Sequence, residues 1–356
     1  MQPGQIYIFS ASYGCTRRTS TSPYSPFQID FDIQLAIQLT IKLAIKLAGE
    51  CPDDKCSDCE HCTSHNQIVN WASGSFAGRV ESHNASIVYQ METLGVMRED
   101  SVVTVTINQP KKKNAIDSSM WNGLTEIFRE IAGNSADRVV VITGADGDFC
   151  SGADLSGRGD TTVRNETAVR NDVHQLAAMR RVNEACIALH KLPQPTIAKV
   201  RGVAVGAGCN LALGCDLVVA SQTARFSEIF VRRGLSLDFG GSWVLPRRIG
   251  LHRAKELAFF GEIIGATDAY EMGLVNRVLP DDELDAFVDQ WAQKLAAGPP
   301  IALAQTKQLL NNSLNLTLEQ ALDDEAAAQT INFSTNDTAE AMRAFTEKRD
   351  PKFTGR

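Results

Sequence analysis

Residues 201–221 read RGVAVGAGCNLALGCDLVVAS, and this stretch decides the fold of the chain. A basic start is followed by three small residues, 206–208, and then by an apolar helical run that closes on Cys215 and Asp216. Small residues before a helix let a ligand approach the backbone closely, and the first turn of a helix leaves N–H groups free to bind negative charge.

A second small-residue turn lies upstream, in the segment FCSGADL at 149–155. It follows VVVITG at 139–144, which has the composition of a buried strand. Each turn alone is typical of an ordinary connection between a strand and a helix. As a pair, they could present N–H groups to one oxygen atom from two sides, which is the principle of an oxyanion hole.

These two motifs, in this order and spacing with the ending FTEKRDPKFTG at 345–355, resemble the enoyl-CoA hydratase/isomerase, or crotonase, superfamily. The resemblance covers residues 91–356. It implies an α/β fold with a ββα spiral core over 91–280 and a C-terminal helical region over 281–356 that covers the active site and builds trimers.

The resemblance also implies an acyl-CoA thioester substrate and no metal or redox cofactor. The backbone N–H groups of Ala153 and Ala207 would hold the thioester carbonyl and stabilise an enolate next to it. The implied assembly is a homotrimer or a dimer of trimers.

The acid/base residues depart from the hydratase pattern. Hydratases of this family use two glutamates, and the matching positions here hold Asn210 and Phe230. Because an asparagine side chain does not exchange a proton at ordinary pH, hydration through two carboxylates is in doubt. Glu228 lies close to the second position but is out of register with it, and we interpret it as structural.

Asp238, in RGLSLDFGGSW, matches a position where enoyl- and dienoyl-CoA isomerases of the family hold an acid. By itself this residue has the composition of a turn, since Asp precedes Phe-Gly-Gly. Within the family register it is the predicted proton carrier. A carboxyl group beside Phe230, Leu237 and Phe239 should have a raised pKa, which suits a group that first removes and then returns a proton.

Four activities therefore stay open. Double-bond isomerisation by Asp238 is preferred, and hydration of a 2-enoyl-CoA is the first alternative. A CoA-thioester dehalogenase would use Asp238 as a nucleophile and need a histidine base, for which only His174 lies in the right region. A member that binds acyl-CoA without catalysis would also explain the two missing glutamates.

Binding of the coenzyme A part is predicted at three places. The segment KKKNAID at 111–117 resembles the family loop that lies against the adenine end, with lysines suited to phosphate. Lys348 matches a family lysine that reaches the ligand of a neighbouring subunit. The predicted substrate-binding and coenzyme-A-binding residues are Lys113, Asn114, Ala115, Ser151, Gly152, Asp154, Leu155, Gly206, Asn210, Phe230 and Lys348.

Bulk properties exclude several classes of protein. The 356-residue chain has a formal net charge of −7, whereas nucleic-acid-binding proteins usually have a basic surface. We expect no membrane-spanning segment, because the apolar stretch at 29–47 alternates and contains charged residues. We expect no secretory signal, because the first residues lack a basic start and a compact apolar run. Cytoplasmic localisation is expected, with Cys150, Cys186, Cys209 and Cys215 as reduced residues in the folded region.

Residues 1–90 do not resemble the family. They contain the repeat IQLA, IQLT, IKLA, IKLA and a cluster of Cys51, Cys56, Cys59 and Cys62 whose spacing could hold zinc or an iron–sulfur cluster. We expect a metal-free extension that is not a natural folded domain, and a chain that begins at Met91 should retain full activity.

The remaining pattern predicts the elements of the core. Strands are expected at 102–108, 139–144, 195–202 and 216–221, and helices at 120–131, 166–192 and 207–215. Asp117 and the serines after it are typical of a helix N-cap. Four helices are expected after Pro280, at 281–297, 300–313, 317–331 and 336–347.

Overall fold

The apolar segments of the sequence assemble into a mixed sheet with helices packed against it. A computed structural model of the protein describes residues 89–156 and 175–356. The ten strands are β1 (Tyr89–Met91), β2 (Leu94–Glu99), β3 (Val102–Ile107), β4 (Val139–Gly144), β5 (Thr196–Val200), β6 (Val203–Val205), β7 (Leu217–Ser221), β8 (Arg225–Ser227), β9 (Ile264–Gly265) and β10 (Arg277–Leu279).

Nine helices lie within the described residues. They are α1 (Ser118–Gly133), α2 (Gln175–His190), α3 (Ala207–Gly214), α4 (Gly241–Phe260), α5 (Ala266–Met272), α6 (Leu284–Ala296), α7 (Pro300–Asn312), α8 (Leu318–Phe333) and α9 (Asn336–Glu347). Helix α4 is kinked at Gly250, whose backbone leaves the helical region. Short 3-10 turns occur at Pro110–Lys112, Ile229–Arg233 and Ser313–Asn315.

The main sheet has seven strands in the order β1-β2-β3-β4-β5-β7-β10. Neighbouring strands among β1, β2 and β3 are antiparallel. The remaining neighbours of this sheet, in the order β3-β4-β5-β7-β10, are parallel. Both faces of the parallel part are covered, so β4 shows a continuous buried run instead of alternation. Helices α1, α2 and α3 contribute to the larger core cluster, and α6 packs over the opposite face.

A second sheet of three short strands, β6-β8-β9, lies beside the start of α3. Strand β6 pairs with β8 in parallel, and an isolated bridge joins Ala204 of β6 to Cys150 in the FCSGADL turn. This bridge brings the two small-residue turns of the sequence together. The expected strand at 195–202 corresponds to β5, which ends at Val200, and the chain turns at Gly202 (φ +52°) before β6 begins.

Most expected elements are confirmed with small changes of boundary. The strands at 102–108, 139–144 and 216–221 correspond to β3, β4 and β7, and the helix at 207–215 corresponds to α3. The four helices expected after Pro280 correspond to α6, α7, α8 and α9. The start of the expected helix at 166–192 lies outside the described residues, and its remainder is α2.

The N-terminal repeat, the four-cysteine cluster and His174 also lie outside the described residues. Within the described residues, no helix is both long and apolar enough to cross a membrane. The cysteines of the core are free thiols, of which Cys150, Cys209 and Cys215 are buried and Cys186 is half-buried.

Candidate active site

A cavity of about 600 Å³ opens beside the two small-residue turns. Its wall is built from the start of α1, one face of α2, the turn at 151–156, the start of α3 and the loop at 229–238. The volume is of the size that binds small molecules and cofactors in proteins. The wall contains both apolar and polar residues, so the cavity can take an apolar chain and direct a few polar atoms toward it.

Ala153 and Ala207 are both in the wall of this cavity. Ala207 is the first residue of α3, so its N–H has no partner within the helix. Around Ala153, the N–H of Asp154 donates to Ile116 and the carbonyl of Gly152 accepts from Ile116, at 2.8 Å in both cases. Among the backbone hydrogen bonds of the described residues, neither Ala153 nor Ala207 is a donor.

Glycines allow the two turns to approach closely. A Cβ atom on Gly152 would lie 2.8 Å from the carbonyl oxygen of Val205 and 3.4 Å from the amide nitrogen of Ala207. A Cβ atom on Gly208 would lie 2.3 Å from the carbonyl oxygen of Cys150. Gly206 adopts φ +57°, a conformation that favours glycine. The glycines of the GAG and SGA motifs therefore allow one close contact between the backbones of the two turns.

Asp238 also lies in the cavity wall, in the turn that opens α4. Its carbonyl accepts a 3.0 Å hydrogen bond from the N–H of Gly241. The next residue, Phe239, is buried with φ +45°, and its ring lies 5.3 Å from the ring of Trp121. The turn and the site interpretations of Asp238 are thus compatible, since this turn forms part of the wall.

Phe230, which the sequence is expected to place where hydratases hold their second glutamate, contributes an apolar ring to the same wall. Its ring atom Cζ would lie 3.7 Å from a Cβ atom built on Gly206. The ring therefore faces the turn that precedes Ala207, so this side of the cavity is apolar.

Lys112 is bonded to two residues of the cavity wall. Its Nζ donates to Asp154 Oδ2 at 2.6 Å and to Ser156 Oγ at 3.0 Å. The hydrogen bonds from Lys112 and Ser156 lower the pKa of Asp154 to about 2, so that carboxyl group is ionised at neutral pH and is no candidate for a neutral acid. Lys113 instead adopts φ +51°, and its Nζ lies 3.8 Å from Asp148.

The fold and the sequence can now be compared with known proteins. The family model described as enoyl-CoA hydratase/isomerase matches residues 97–356. The chain belongs to the enoyl-CoA hydratase/isomerase family. It is 36% identical over 258 residues to the 1,2-epoxyphenylacetyl-CoA isomerase of Escherichia coli, an alignment that covers 72% of this chain and 97% of that one.

Other members of the family are similar to the same degree. The short-chain-enoyl-CoA hydratase of Clostridium acetobutylicum is 35% identical over 71% of this chain and 94% of its own length. The crystal structure of an enoyl-CoA hydratase from Bacillus anthracis superposes with a TM-score of 0.68 at 33% identity, covering 74% of this chain and all of that one. The chain is therefore an acyl-CoA enzyme of the enoyl-CoA hydratase/isomerase family, with a crotonase fold.

For this family member, the structure brings nine of the fourteen predicted site residues into one cavity wall. These are Ser151, Gly152, Ala153, Asp154, Leu155, Gly206, Ala207, Phe230 and Asp238. Five others are not in the wall, namely Lys113, Asn114, Ala115, Asn210 and Lys348. Lys348 is an exposed residue at the end of α9, and its predicted contact with the ligand of a neighbouring subunit stays a prediction.

Two of these five residues support the site from behind. Asn114 is fully buried, and its Nδ2 donates to the carbonyl oxygens of Ala145 at 2.8 Å and Asp148 at 2.6 Å. Asn210 is also fully buried, and its side chain is directed to the loop of Asp238 instead of the cavity. Both asparagines fix the backbone, because their side-chain amides donate hydrogen bonds to main-chain carbonyl groups.

Sequence reasoning missed several residues of the cavity wall. Trp121 and Asp117 reach the wall from the start of α1, while Arg181 comes from α2 and Arg233 from the 3-10 turn. Trp121 is both buried and part of the wall. No metal-ligand cluster of three or more His, Cys, Asp or Glu side chains occurs in the described part of the chain.

Proposed function

We propose that the protein shifts a carbon–carbon double bond in an enoyl-CoA thioester. Asp238 removes a proton from the α carbon of a 3-enoyl-CoA and returns it to the γ carbon, which gives the conjugated 2-enoyl-CoA. The backbone N–H groups of Ala153 and Ala207 bind the thioester oxygen while it carries the negative charge of the dienolate. The reaction moves one proton within the substrate, so it is redox-neutral and consumes no water.

The single observation that supports this proposal most is the identity of the acids around the cavity. Asp238 is in the wall, and the two positions where hydratases hold glutamates are an asparagine behind the wall and a phenylalanine in it. A double-bond shift needs one carboxyl group that both accepts and donates a proton. Hydration through two carboxylates needs a second carboxyl group to activate the attacking water. At the position expected for that group, this cavity has Phe230.

Hydration of 2-enoyl-CoA is the second candidate. The names of several similar proteins favour it, including the hydratase of Clostridium acetobutylicum. The similar protein of Escherichia coli is named an isomerase of an epoxide-containing acyl-CoA, which favours isomerisation over hydration without indicating a double-bond shift. Trimeric or hexameric assembly and the coenzyme A contacts of the 111–117 loop belong to the same proposal, by analogy with the family.

The two activities can be separated with one pair of substrates. Incubation with a trans-3-enoyl-CoA should produce the absorbance of the conjugated 2-enoyl thioester, with no 3-hydroxyacyl-CoA detected by chromatography. Asp238→Asn should lower kcat by about 10²–10⁴, the usual contribution of a positioned acid/base. Glu256→Gln, an exposed change on α4, is the matched control and should behave as wild type.

Rapid formation of 3-hydroxyacyl-CoA from a 2-enoyl-CoA, without any double-bond shift, would show that the protein is a hydratase and not an isomerase. If neither substrate were converted while both bound, the non-catalytic alternative would be favoured. A panel of short, long, aromatic and ring-containing thioesters then identifies the acyl group.

A further inference from the structure

Glu228 is a carboxyl group buried behind the wall of the cavity. Glu228 is 1% exposed and directly precedes the 3-10 turn at Ile229–Arg233. The next two residues, Ile229 and Phe230, line the cavity, but Glu228 does not. Because an isolated buried charge is costly, a carboxyl group at this depth must be held by specific partners or stay neutral.

Asn210 connects Glu228 to the proposed proton carrier. Its Nδ2 donates to Glu228 Oε2 at 3.3 Å and to the main-chain oxygen of Asp238 at 2.9 Å. The amide is confined, since a Cβ atom on Gly241 would lie 2.4 Å from Asn210 Nδ2. One side-chain amide therefore bridges a buried carboxyl group and the backbone of the residue that faces the substrate.

The backbone that Asn210 holds is in an uncommon conformation. Phe239 and Gly240 both have positive φ, at +45° and +76°, and such a conformation is unusual for a bulky residue. A conformation of this kind persists only where the surroundings determine it strongly. Here the packing of the Phe239 ring on Trp121 holds one side of the turn, and the Asn210 bond to the Asp238 carbonyl holds the other.

The titratable groups around Glu228 are coupled to it. Burial raises the pKa of Glu228 to about 7; hydrogen bonds from Cys209 and Asn210 oppose this change, and the charge of Asp238 adds to it. Cys209 comes from α3 and Asp238 from the loop before α4. Burial, and then the charge of Glu228, raises the pKa of the Cys209 thiol well above its ordinary value, so this thiol stays protonated beside the carboxyl group.

We propose that Glu228 is a positioning residue for Asp238: it fixes the Asn210 amide, which in turn fixes the turn that presents the Asp238 carboxyl group to the substrate. This role rests on the proposed function, in which Asp238 carries the proton. Without Glu228 the Asn210 amide loses one of its two acceptors, and the Asp238 carbonyl loses a fixed donor. A displacement of about 1 Å by a residue remote from the chemistry can cost about 100-fold in rate.

The test compares Glu228→Ala and Glu228→Gln with wild type on a 3-enoyl-CoA. Glu228→Ala should lower kcat by about 10-fold to 100-fold and leave KM near its wild-type value, because Glu228 is absent from the cavity wall. Glu228→Gln retains an acceptor oxygen and the volume of the side chain, so it should recover most of kcat. It should also remove the change of kcat that we expect of wild type near pH 7, to which burial raises the pKa of Glu228.

The same measurements in an Asp238→Asn background separate the two claims. If Glu228 acts through Asp238, adding Glu228→Ala to Asp238→Asn has no further effect. The kcat values of Asp238→Asn and of the double variant should then agree within about twofold. An equal loss in both backgrounds, or wild-type kcat with an unchanged pH profile in both Glu228 variants, overturns the positioning role. Wild-type activity of Asp238→Asn alone overturns the proposed function instead. If Glu228→Ala does not fold, the glutamine variant and its pH profile still decide.

Discussion

At Gly208 the two turns of the site are so close that no side chain fits between them. A Cβ atom there would lie 2.3 Å from the carbonyl oxygen of Cys150, which belongs to backbone that cannot move aside cheaply. Gly208→Ala should therefore separate the turns and displace the Ala207 N–H. We expect kcat to fall by about 10²–10³, the cost of one lost oxyanion donor.

Gly133→Ala is the matched control, since nothing lies within 4 Å of its added methyl group. It should keep wild-type kcat in the 3-enoyl-CoA assay. Urea unfolding of both variants shows whether Gly208→Ala also loses stability, as an overpacked contact should. Normal turnover by a folded Gly208→Ala protein would show that the approach of the two turns is not needed for catalysis.

At the same scale, the sequence identified the residues of the wall better than the residues behind it. Register along the chain was sufficient for Asp238 and Phe230, because both lie at fixed spacing from a turn. It could not show that Asn114 and Asn210 are directed into the protein, since burial depends on neighbours that are remote in sequence. Lys112 and not Lys113 reaches Asp154, because Lys113 adopts a left-handed conformation that the sequence does not reveal.

Among the elements, α1 shows how local signals fix one boundary of the site. Asp117 was expected as its N-cap, and its Oδ1 accepts from the N–H groups of Ser119 at 2.8 Å and Met120 at 3.0 Å. Asp117→Ala should cost about 0.5–2 kcal/mol of unfolding free energy. Asp117→Asn is the control, because asparagine caps a helix nearly as well.

The pH dependence of that loss tests the cap directly. Burial alone would raise the pKa of Asp117, but the hydrogen bonds from Ser119 and Met120 outweigh it and hold the pKa below the usual value of 3.8. Because the pKa of Asp117 is lowered in the folded state, its carboxylate stabilises the fold at pH values above the usual pKa of 3.8. This contribution is lost as the pH falls through the lowered pKa. The difference between wild type and Asp117→Ala in urea unfolding should thus be constant from pH 7 to pH 5 and shrink in stronger acid. A difference that grows in acid would contradict the cap.

Long periodic elements were predictable, and the short ones were not. Helices α6 to α9 and strands β3, β4 and β7 follow from apolar period and end signals. The sheet β6-β8-β9 consists of strands of two or three residues, which have too little pattern to be recognised. They exist because of pairing between remote segments, and that pairing aligns the two turns of the site.

On the scale of the whole molecule, the C-terminal helices leave many apolar side chains uncovered in the single chain. Leu310, Leu318, Leu322, Phe333 and Phe345 are each more than half exposed. Uncovered apolar surface of this extent marks an interface in soluble proteins.

We expect light scattering to give three or six times the mass of one chain, and Phe345→Asp to lower that value. Met97→Asp, at an exposed position of β2, is the control, and a monomeric wild type would contradict the assembly.

The account depends most on two backbone amides that bind one thioester oxygen while Asp238 faces the carbons that exchange the proton. The direct measurement is a crystal structure of Asp238→Asn with an unreacted trans-3-enoyl-CoA. The account predicts the thioester oxygen at about 2.7–3.1 Å from the nitrogen atoms of both Ala153 and Ala207, with residue 238 beside the α and γ carbons. An oxygen bound elsewhere, or an acyl chain whose α carbon lies far from residue 238, would contradict it.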